Sequence, residues 1–245
     1  MVGTGPGPIE FLCPRARDAI ENAQTVAGYQ TYLDLISELL RPEQDIIGSG
    51  MMQEVDRCKR ALGLALDGKT VALVCGGDPG IYAMAGLVFQ LARLQDMAVD
   101  IEVIPGIPAL SACAALLGAP LMHDFAVISL SDLLTPWKLI EKRLKLAAQA
   151  DLVIVIYNPA SKKRRLHIQK AAELILETRS PATPVGIVTS AYRQDQSVHL
   201  ISLDDLAKGA IPVNMQSTVI IGNSRTFSWN GRMITPRGYE DKYGL

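Results

Sequence analysis

Short apolar segments that end in glycine and proline, each followed by a helical pattern, dominate the first half of the chain. TVALVC (Thr70–Cys75) is β-branched and apolar, as is typical of a buried strand. GGDPG (Gly76–Gly80) follows it and precedes a predicted helix at Ile81–Gln95. Another predicted strand, Val99–Ile104, ends in PGIPA and precedes a short apolar helix at Ala109–Leu117. Repeated strand–helix–strand units predict right-handed crossovers and a largely parallel sheet.

The same patterns predict the other elements. First-half helices are predicted at Pro14–Gln24, Thr31–Leu40 and Met52–Asp67, with strands near Thr25–Ala27 and Asp45–Gly48. Second-half strands are predicted at Phe125–Leu130, Leu152–Tyr157, Val185–Thr189, Val198–Leu203 and Thr218–Gly222, with helices at Trp137–Gln149 and Arg164–Arg179. TFSWNGRMIT (Thr226–Thr235) predicts a hairpin, since Asn230-Gly231 favours the positive φ angles of a type I′ turn.

Two domains of an α/β protein are expected, joined at Gly118-Ala119-Pro120. Residues 1–118 would form a domain with a mostly parallel sheet. Residues 119–245 would form a domain with a mixed sheet and a terminal hairpin. Only Met1 and Val2 precede the glycine-rich segment GTGPG, so either the first strand is very short or the true start of the protein lies upstream.

Charge and cysteine usage exclude several classes of function. The 24 basic and 25 acidic residues give a net charge of −1, which argues against a general nucleic-acid binder. The cysteines are too widely spaced for a zinc site or a disulfide framework, and no metal site is expected. We expect buried thiols in a cytoplasmic protein. The cysteines are Cys13, Cys58, Cys75 and Cys113.

One uncharged stretch, Val103–Met122, has the length of a membrane helix. Pro105, Pro108 and Pro120 interrupt it, so a strand end, a loop and a buried helix are predicted instead. The first residues are rich in glycine and proline and lack the basic and apolar regions of a signal peptide. We therefore expect no membrane association.

GGDPG is the strongest candidate for a ligand-binding loop. Ligands of open α/β sheets bind outside the carboxyl ends of the strands, where Gly76 and Gly77 would bring bare backbone groups. Asp78 would place a carboxylate at the helix start, which suits a cationic or hydroxyl-rich ligand. The alternative is that Asp78 only caps the helix. No GKS or GKT follows, which excludes a P-loop, and neither loop is GxGxxG, which disfavours a dinucleotide.

Three further segments add candidate residues. GTGPG (Gly3–Gly7) and PGIPA (Pro105–Ala109) are either parts of the same ligand site or plain turns. YNPAS ends a second-half strand, and KKRR follows it. If Ser161 is a helix N-cap, these cations would oppose the helix dipole, which favours a carboxylate-rich partner over a merely solvated surface. His123-Asp124 is a weaker candidate, and His167 and His199 are interpreted as structural.

Taken in order, these segments resemble the tetrapyrrole methylases, which are S-adenosylmethionine-dependent methyltransferases. The resemblance rests on GTGPG (3–7), CGGDPGIYAMAG (75–86), PGIPALSACAALLGAPLMHDF (105–125) and IYNPASKKRR (156–165). Within that family, GYQTYLDLI (28–36), SGMMQEVDR (49–57), HDFAVISLSDLLTPW (123–137) and MITPRGY (233–239) resemble the C17-methyltransferases of cobalamin biosynthesis.

The resemblance implies a two-domain fold with the cofactor, S-adenosylmethionine, in the cleft between the domains of each subunit of a homodimer. Carried over residue by residue, the implied cofactor contacts are Pro6, Gly76, Gly77, Asp78, Ile81, Pro108, Ala109, Asn158, Ala191, and, near the adenine, Ser217 and Thr218. The cations expected to pair with substrate carboxylates are Lys162, Lys163, Arg164 and Arg193.

The implied reaction is methyl transfer to C17 of a precorrin-3B or cobalt-precorrin-3 type tetrapyrrole, coupled to ring contraction. Positioning of an already activated methyl donor supplies most of the rate, so no catalytic triad is required. Ring contraction needs proton movement, for which the candidates are His123, Asp124, Ser129 and Asp132. The alternatives are a tetrapyrrole methylase of another position specificity and a non-catalytic cofactor-binding module.

Overall fold

The computed structural model describes residues 1–244 and divides into two compact units, Met1–Ala109 and a second that begins at Leu110. This division falls after Ala109, the first residue of the helix Ala109–Leu117, whereas the boundary predicted from sequence, after residue 118, lies beyond the helix. Within residues 1–244, no helix is both long enough and apolar enough to cross a membrane.

The first unit contains one four-stranded sheet in which every pair is parallel, as predicted. Its strands are β1 (Val2–Gly3), β2 (Thr25–Tyr29), β3 (Asp45–Ser49) and β4 (Val71–Cys75), in the order β1-β4-β2-β3. Its helices are α1 (Pro14–Glu21), α2 (Gln30–Leu35), α3 (Glu54–Leu66) and α4 (Ala85–Leu94), with 3-10 turns at Ile9–Phe11 and Ser37–Leu39.

Both faces of this sheet are buried because successive side chains of a strand point to opposite sides. In β4, Ala72 and Val74 pack with Ile20 of α1. Leu73 of the same strand packs on the other face with Leu62 of α3. Each such apolar side chain contributes about 1.5–3 kcal/mol by leaving water. The TVALVC segment is therefore the central buried strand that its composition predicts.

The second unit contains a mixed five-stranded sheet, as expected. Its strands are β6 (Phe125–Ser129), β7 (Val153–Tyr157), β8 (Pro184–Thr189), β9 (Ser197–Ser202) and β10 (Ser217–Ile221), in the order β6-β7-β10-β8-β9. Only β6 and β7 run parallel. The helices are α5 (Ala109–Leu117), α6 (Trp137–Gln149), α7 (His167–Leu176), α8 (Leu203–Lys208) and α9 (Tyr239–Tyr243).

A small three-stranded sheet completes this unit and corrects one prediction. The hairpin β11 (Phe227–Trp229) and β12 (Arg232–Ile234) turns through Asn230 and Gly231, both at positive φ, as predicted. Gly118 and Ala119, predicted as a linker, form strand β5 instead, which pairs in parallel with Met233 and Ile234. The sequence predicts a linker because nothing in Gly118-Ala119 indicates a strand partner more than a hundred residues away.

Two predicted elements near the GGDPG loop are wrong. The helix predicted from Ile81 begins at Ala85, because Tyr82 has a positive φ of 51° that an α-helix cannot contain. Val99–Ile104 is not a strand: only Ile104 pairs, through hydrogen bonds with Met1 and Gly3. Since β1 has two residues, it offers too few backbone groups to order a longer partner.

The KKRR segment also differs from its prediction. Helix α7 begins at His167 rather than Arg164, and Ser161 does not cap it. Ser161 and Arg164 instead exchange backbone hydrogen bonds of 3.1 and 3.4 Å in a turn. The cations therefore precede the helix, and the argument from the helix dipole does not apply to them.

Candidate functional site

Three glycine-containing loops meet in the first unit, at the carboxyl ends of β1 and β4. Gly5 and Gly77 exchange backbone hydrogen bonds of 3.1 and 2.8 Å, which join the loop after β1 to the loop after β4. Thr4 strengthens this junction, because its backbone and hydroxyl groups both donate to the carbonyl of Cys75. Gly106, in the third loop, lies against Gly3 and Gly77. We call these three segments the loop junction.

Glycine is required in the loop junction because the backbones touch. A Cβ atom on Gly106 would lie 2.2 Å from the carbonyl oxygen of Gly77, and one on Gly3 would lie 2.5 Å from the amide nitrogen of Gly106. Gly77 itself has a φ of +68°, which favours glycine. These glycines therefore allow the three chain segments to approach one another closely.

Asp78 ties two of the loops together and does not cap a helix. Its carboxylate oxygens accept hydrogen bonds from the backbone N–H groups of Gly80, at 2.8 Å, and of Gly106, at 3.2 Å. Helix α4 begins several residues later, after Met84, and has no side-chain cap. The capping interpretation is therefore wrong. The half-buried carboxylate is fixed at the loop junction with lone pairs remaining for a ligand.

The first-unit residues that sequence comparison implied as cofactor contacts come together at this junction. Gly77 is adjacent to Pro108 and Ala109: a Cβ atom added to it would lie 3.7 Å from the Cα of Pro108 and 3.7 Å from the backbone nitrogen of Ala109. Gly76 packs against the ring of Tyr32. Pro6 is buried in the first loop, and Ile81 is half-buried in the second.

The second-unit candidates share one edge of the five-stranded sheet. Because β10 runs antiparallel to β7 and β8, its first residues lie beside the last residues of those strands. Asn158 therefore follows β7 at the edge where Ser217 and Thr218 begin β10, and Ala191 follows β8 there. Asn158 has a φ of 51°, a conformation that asparagine tolerates better than most residues do.

Hydroxyl groups are concentrated on this edge. The hydroxyls of Thr189 and Ser217 are 2.7 Å apart, and the backbone N–H of Asn214 donates to Ser217 at 3.0 Å. Thr218 forms a hydrogen bond with the thiol of Cys113 in α5. Burial raises the pKa of that thiol to about 11, and the bond from Thr218 opposes the shift. Cys113 is thus a neutral buried group rather than a nucleophile.

The four residues predicted as proton-transfer candidates do not form one cluster. Ser129 and Asp132 follow the carboxyl end of β6, whereas His123 and Asp124 precede its first residue. The length of the strand, about 17 Å, separates the two pairs. His123 and Asp124 are exposed side chains 3.9 Å apart, and the His123 ring accepts a hydrogen bond from the backbone N–H of Asp124.

The four cations predicted to bind substrate fall into different environments. Lys162 and Lys163 are exposed, and no hydrogen bond or ion pair of their side chains occurs within residues 1–244. Arg164 is buried and donates to the hydroxyl of Ser131 at 2.7 Å. Arg193 is half-buried, on the turn that follows β8.

His167, interpreted from the sequence as structural, also belongs to this region. Its Nε2 atom lies 3.2 Å from a carboxylate oxygen of Asp132, and its ring packs edge-on against Trp137 with 4.6 Å between centroids. The sequence separates His167 from Asp132 by a strand, a helix and a loop, so spacing alone carried no signal of this pair. For metal binding, no group of three His, Cys, Asp or Glu side chains is suitably placed in the described part of the chain.

Known proteins match the whole length of this chain. The cobalt-factor III methyltransferase of Priestia megaterium is 49% identical to it, over 100% of this chain and 46% of that protein. A probable cobalt-factor III C(17)-methyltransferase of Salmonella typhimurium is 47% identical over 98% of each. The chain therefore spans about half of the first relative and nearly all of the second.

The fold is also that of a solved methyltransferase. The crystal structure of CobJ superposes with a TM-score of 0.90 at 32% identity, over 96% of this chain and 98% of that one. The family model for tetrapyrrole (corrin/porphyrin) methylases matches residues 1–207, which contain the loop junction, Asn158 and Ala191. The chain belongs to the tetrapyrrole methylase family.

Proposed function

We propose that this protein is an S-adenosylmethionine-dependent methyltransferase of cobalamin biosynthesis that methylates C17 of a precorrin-3B or cobalt-precorrin-3 type tetrapyrrole, with ring contraction. The observation that carries the proposal is the 47% identity, over 98% of both chains, to a relative named for cobalt-factor III C(17) methylation. The quoted subfamily segments support the same position specificity. We further propose a cytoplasmic homodimer.

The residues of the loop junction fit the proposed cofactor. Asp78 offers a fixed carboxylate, which complements a cationic centre or ribose hydroxyls, and half-buried Ile81 and Pro108 offer apolar contact beside it. In this proposal Pro6, Gly76, Gly77 and Ala109 complete the first-unit contacts. Asn158, Ala191, Ser217 and Thr218 are proposed as further contacts. When bound, S-adenosylmethionine supplies a methyl group already activated on a sulfonium.

The protein's contribution to the rate is then mainly positioning. Holding two reactants in line can lower a barrier by roughly 7–11 kcal/mol. The loop junction suits that task because hydrogen bonds and close backbone contacts fix all three loops. For the proton movement of ring contraction we propose Ser129 and Asp132, which lie on the same sheet edge as Asn158. His123 and Asp124, at the other end of β6, are the weaker candidates.

Mass spectrometry tests this function directly. The purified protein is incubated with methyl-labelled S-adenosylmethionine and, separately, with precorrin-3B and its cobalt form. We expect one labelled methyl group on a ring-contracted product, located at C17 by fragmentation. Methylation at another carbon would favour a different position specificity. No transfer to either substrate, with the cofactor bound, would favour the non-catalytic alternative.

A further inference from the structure

Side-chain hydrogen bonds cross-link the two loops that leave β6 and β7. Asn158 donates to the hydroxyl of Ser129 at 2.9 Å. Arg164 donates to the hydroxyl of Ser131 at 2.7 Å, and the same nitrogen lies 3.5 Å from a carboxylate oxygen of Asp132. These contacts span 29 to 33 residues of sequence. These hydrogen bonds therefore fix the segment after β7 to the loop after β6.

Arg164 is the centre of this arrangement. Its side chain is only 8% exposed, and its Nε atom is buried without a hydrogen-bond partner. A buried cation is costly unless it is paired, so the contacts with Ser131 and Asp132 hold it in place. Its backbone also closes the turn with Ser161. A side chain committed in this way is not available to a substrate carboxylate.

Asp132 fixes the far end of the same segment. Its second carboxylate oxygen lies 3.2 Å from His167, the first residue of α7, whose ring packs on Trp137. Burial opposes ionisation of Asp132, but the hydrogen bonds from His167, from its own backbone and from Arg164 outweigh it, so its pKa lies below the usual range. Ionised Asp132 thus joins both Arg164 and His167.

Three cations of the segment that contains Arg164 have no acidic side chain from residues 1–244 paired with them. Lys162, Lys163 and Arg165 are exposed, and their side chains form neither hydrogen bonds nor ion pairs with any residue from 1 to 244. The nearby carboxylate, Asp132, is already engaged by Arg164 and His167. The segment therefore presents a concentrated positive charge with no internal partner, which suits a ligand that carries several carboxylates.

We propose that Arg164 is a positioning residue that presents Lys162, Lys163 and Arg165 to the carboxylates of the tetrapyrrole. This inference rests on the proposed function, because the substrate class comes from there. It changes the role predicted for Arg164 from a substrate contact to the anchor of the substrate contacts. It also gives Ser131 a task, which is to hold Arg164, and Asp132 shares that task in addition to the proton movement proposed for it above.

Hydrogen exchange tests the anchoring without any substrate. Backbone exchange of the peptide covering residues 159–166 is measured by mass spectrometry in the wild type, Arg164→Met and Ser131→Ala. We expect faster exchange of this peptide in both variants and unchanged exchange of the β10 peptide. Lys170→Met, which removes an exposed cation of α7 outside the segment, is the matched control and should exchange like the wild type. Unchanged exchange in folded Ser131→Ala and Arg164→Met overturns the inference.

Kinetics separate an anchor from a direct contact. We expect Lys162→Met/Lys163→Met/Arg165→Met, which removes all three presented cations, to raise KM for the tetrapyrrole at least about tenfold, the usual scale for losing a charge-assisted hydrogen bond, with KM for S-adenosylmethionine unchanged. Arg164→Met should raise the same KM. When Arg164→Met is added to that triple variant, KM should rise little further, because the anchor no longer has cations to present.

One result would contradict the role of Arg164, and a different result would contradict the proposed function. If the effects of Arg164→Met and of the triple variant multiply when the four changes are combined, Arg164 contacts the substrate itself and the inference is wrong. If the wild type converts neither tetrapyrrole, the proposed function is wrong, and the exchange experiment still decides whether Arg164 is the anchor. Lys170→Met should keep the wild-type KM; a tenfold rise there would mean that total charge, not this segment, sets the affinity, and would also overturn the inference.

Discussion

Asp78 contributes a negative charge and a pair of hydrogen-bond acceptors to the loop junction, and Asp78→Asn changes both. This substitution keeps the shape and one oxygen acceptor, but it removes the negative charge and the acceptor of one of the two backbone N–H groups, that of Gly80 or that of Gly106. We expect about tenfold weaker binding of S-adenosylmethionine, measured by calorimetry, because a neutral amide complements the cationic sulfonium less well. Asp100→Asn, an exposed aspartate of the same unit, is the matched control. Equal affinities of Asp78→Asn and the wild type would remove Asp78 from the cofactor site.

Two buried thiols predict a loss of stability at alkaline pH. Burial raises the pKa of Cys58 and of Cys113 to about 11, from an ordinary value of 9.0 in the unfolded chain. Below pH 9 both states keep these protons, so the thiols do not affect the free energy of unfolding. Between pH 9 and 11 the unfolded state loses its protons first, and stability falls.

Urea unfolding at pH 8 to 10.5 measures this effect. The decline should be shallower in Cys58→Ala/Cys113→Ala than in the wild type, while Cys13→Ala, at a half-exposed position, should keep the wild-type slope. Lysines and tyrosines titrate equally in all three proteins, so the difference in slope isolates the buried thiols. Equal slopes would mean that these thiols ionise as freely in the folded protein as in the unfolded one.

Because the loops are closely packed, we expect the single methyl group added by Gly106→Ala to be strongly destabilising. A Cβ on Gly106 would lie 2.2 Å from the carbonyl oxygen of Gly77, a backbone atom that cannot move without breaking the Gly5 pair. We expect Gly106→Ala to lower the free energy of unfolding by about 1–3 kcal/mol, the usual scale of overpacking.

Gly86→Ala is the control for that substitution. Gly86 lies in helix α4, and a Cβ there would meet nothing within 4 Å. Because alanine favours a helix more than glycine does, we expect a gain of about 0.5–1 kcal/mol in urea unfolding. If both variants lost the same stability, the contact between Gly106 and Gly77 would not explain the glycine.

Helices and strands could be predicted from the sequence where local composition determines them. They could not be predicted where a strand partner distant in the sequence determines them. Helix α5 and the hairpin at Asn230-Gly231 follow from apolar composition and turn chemistry, and the structure confirms both. Val99–Ile104 has the composition of a strand but meets a two-residue neighbour. Gly118-Ala119 has the composition of a linker but finds β12 as a partner. Neither partner is visible in a local window.

The candidate site divides in the same way. The GGDPG and PGIPA segments were predicted as strand-end loops, and the structure brings both together at Gly77 and Gly106. It also shows what sequence could not, that these glycines contact each other's backbone. Arg164 is buried whereas Lys163 is exposed. This difference could not be predicted from KKRR, because it arises from a hydrogen bond with Ser131, on another loop.

For the whole molecule, the alternation of short strands and helices predicts an α/β fold, and the resemblance of the quoted segments implies the methylase fold. The family match over residues 1–207 and the TM-score of 0.90 to CobJ confirm it. The chain covers 98% of the Salmonella relative but 46% of the Priestia relative, so the same unit also occurs in a longer protein. Activity of the isolated chain is therefore the decisive property.

Methyl transfer by this chain alone tests the central claim most directly. The purified protein is given labelled S-adenosylmethionine and cobalt-precorrin-3, and the product is analysed by mass and fragmentation. The account predicts transfer of one methyl group to C17 and a contracted ring. Transfer to a different carbon, or none by a protein that binds the cofactor, would contradict it.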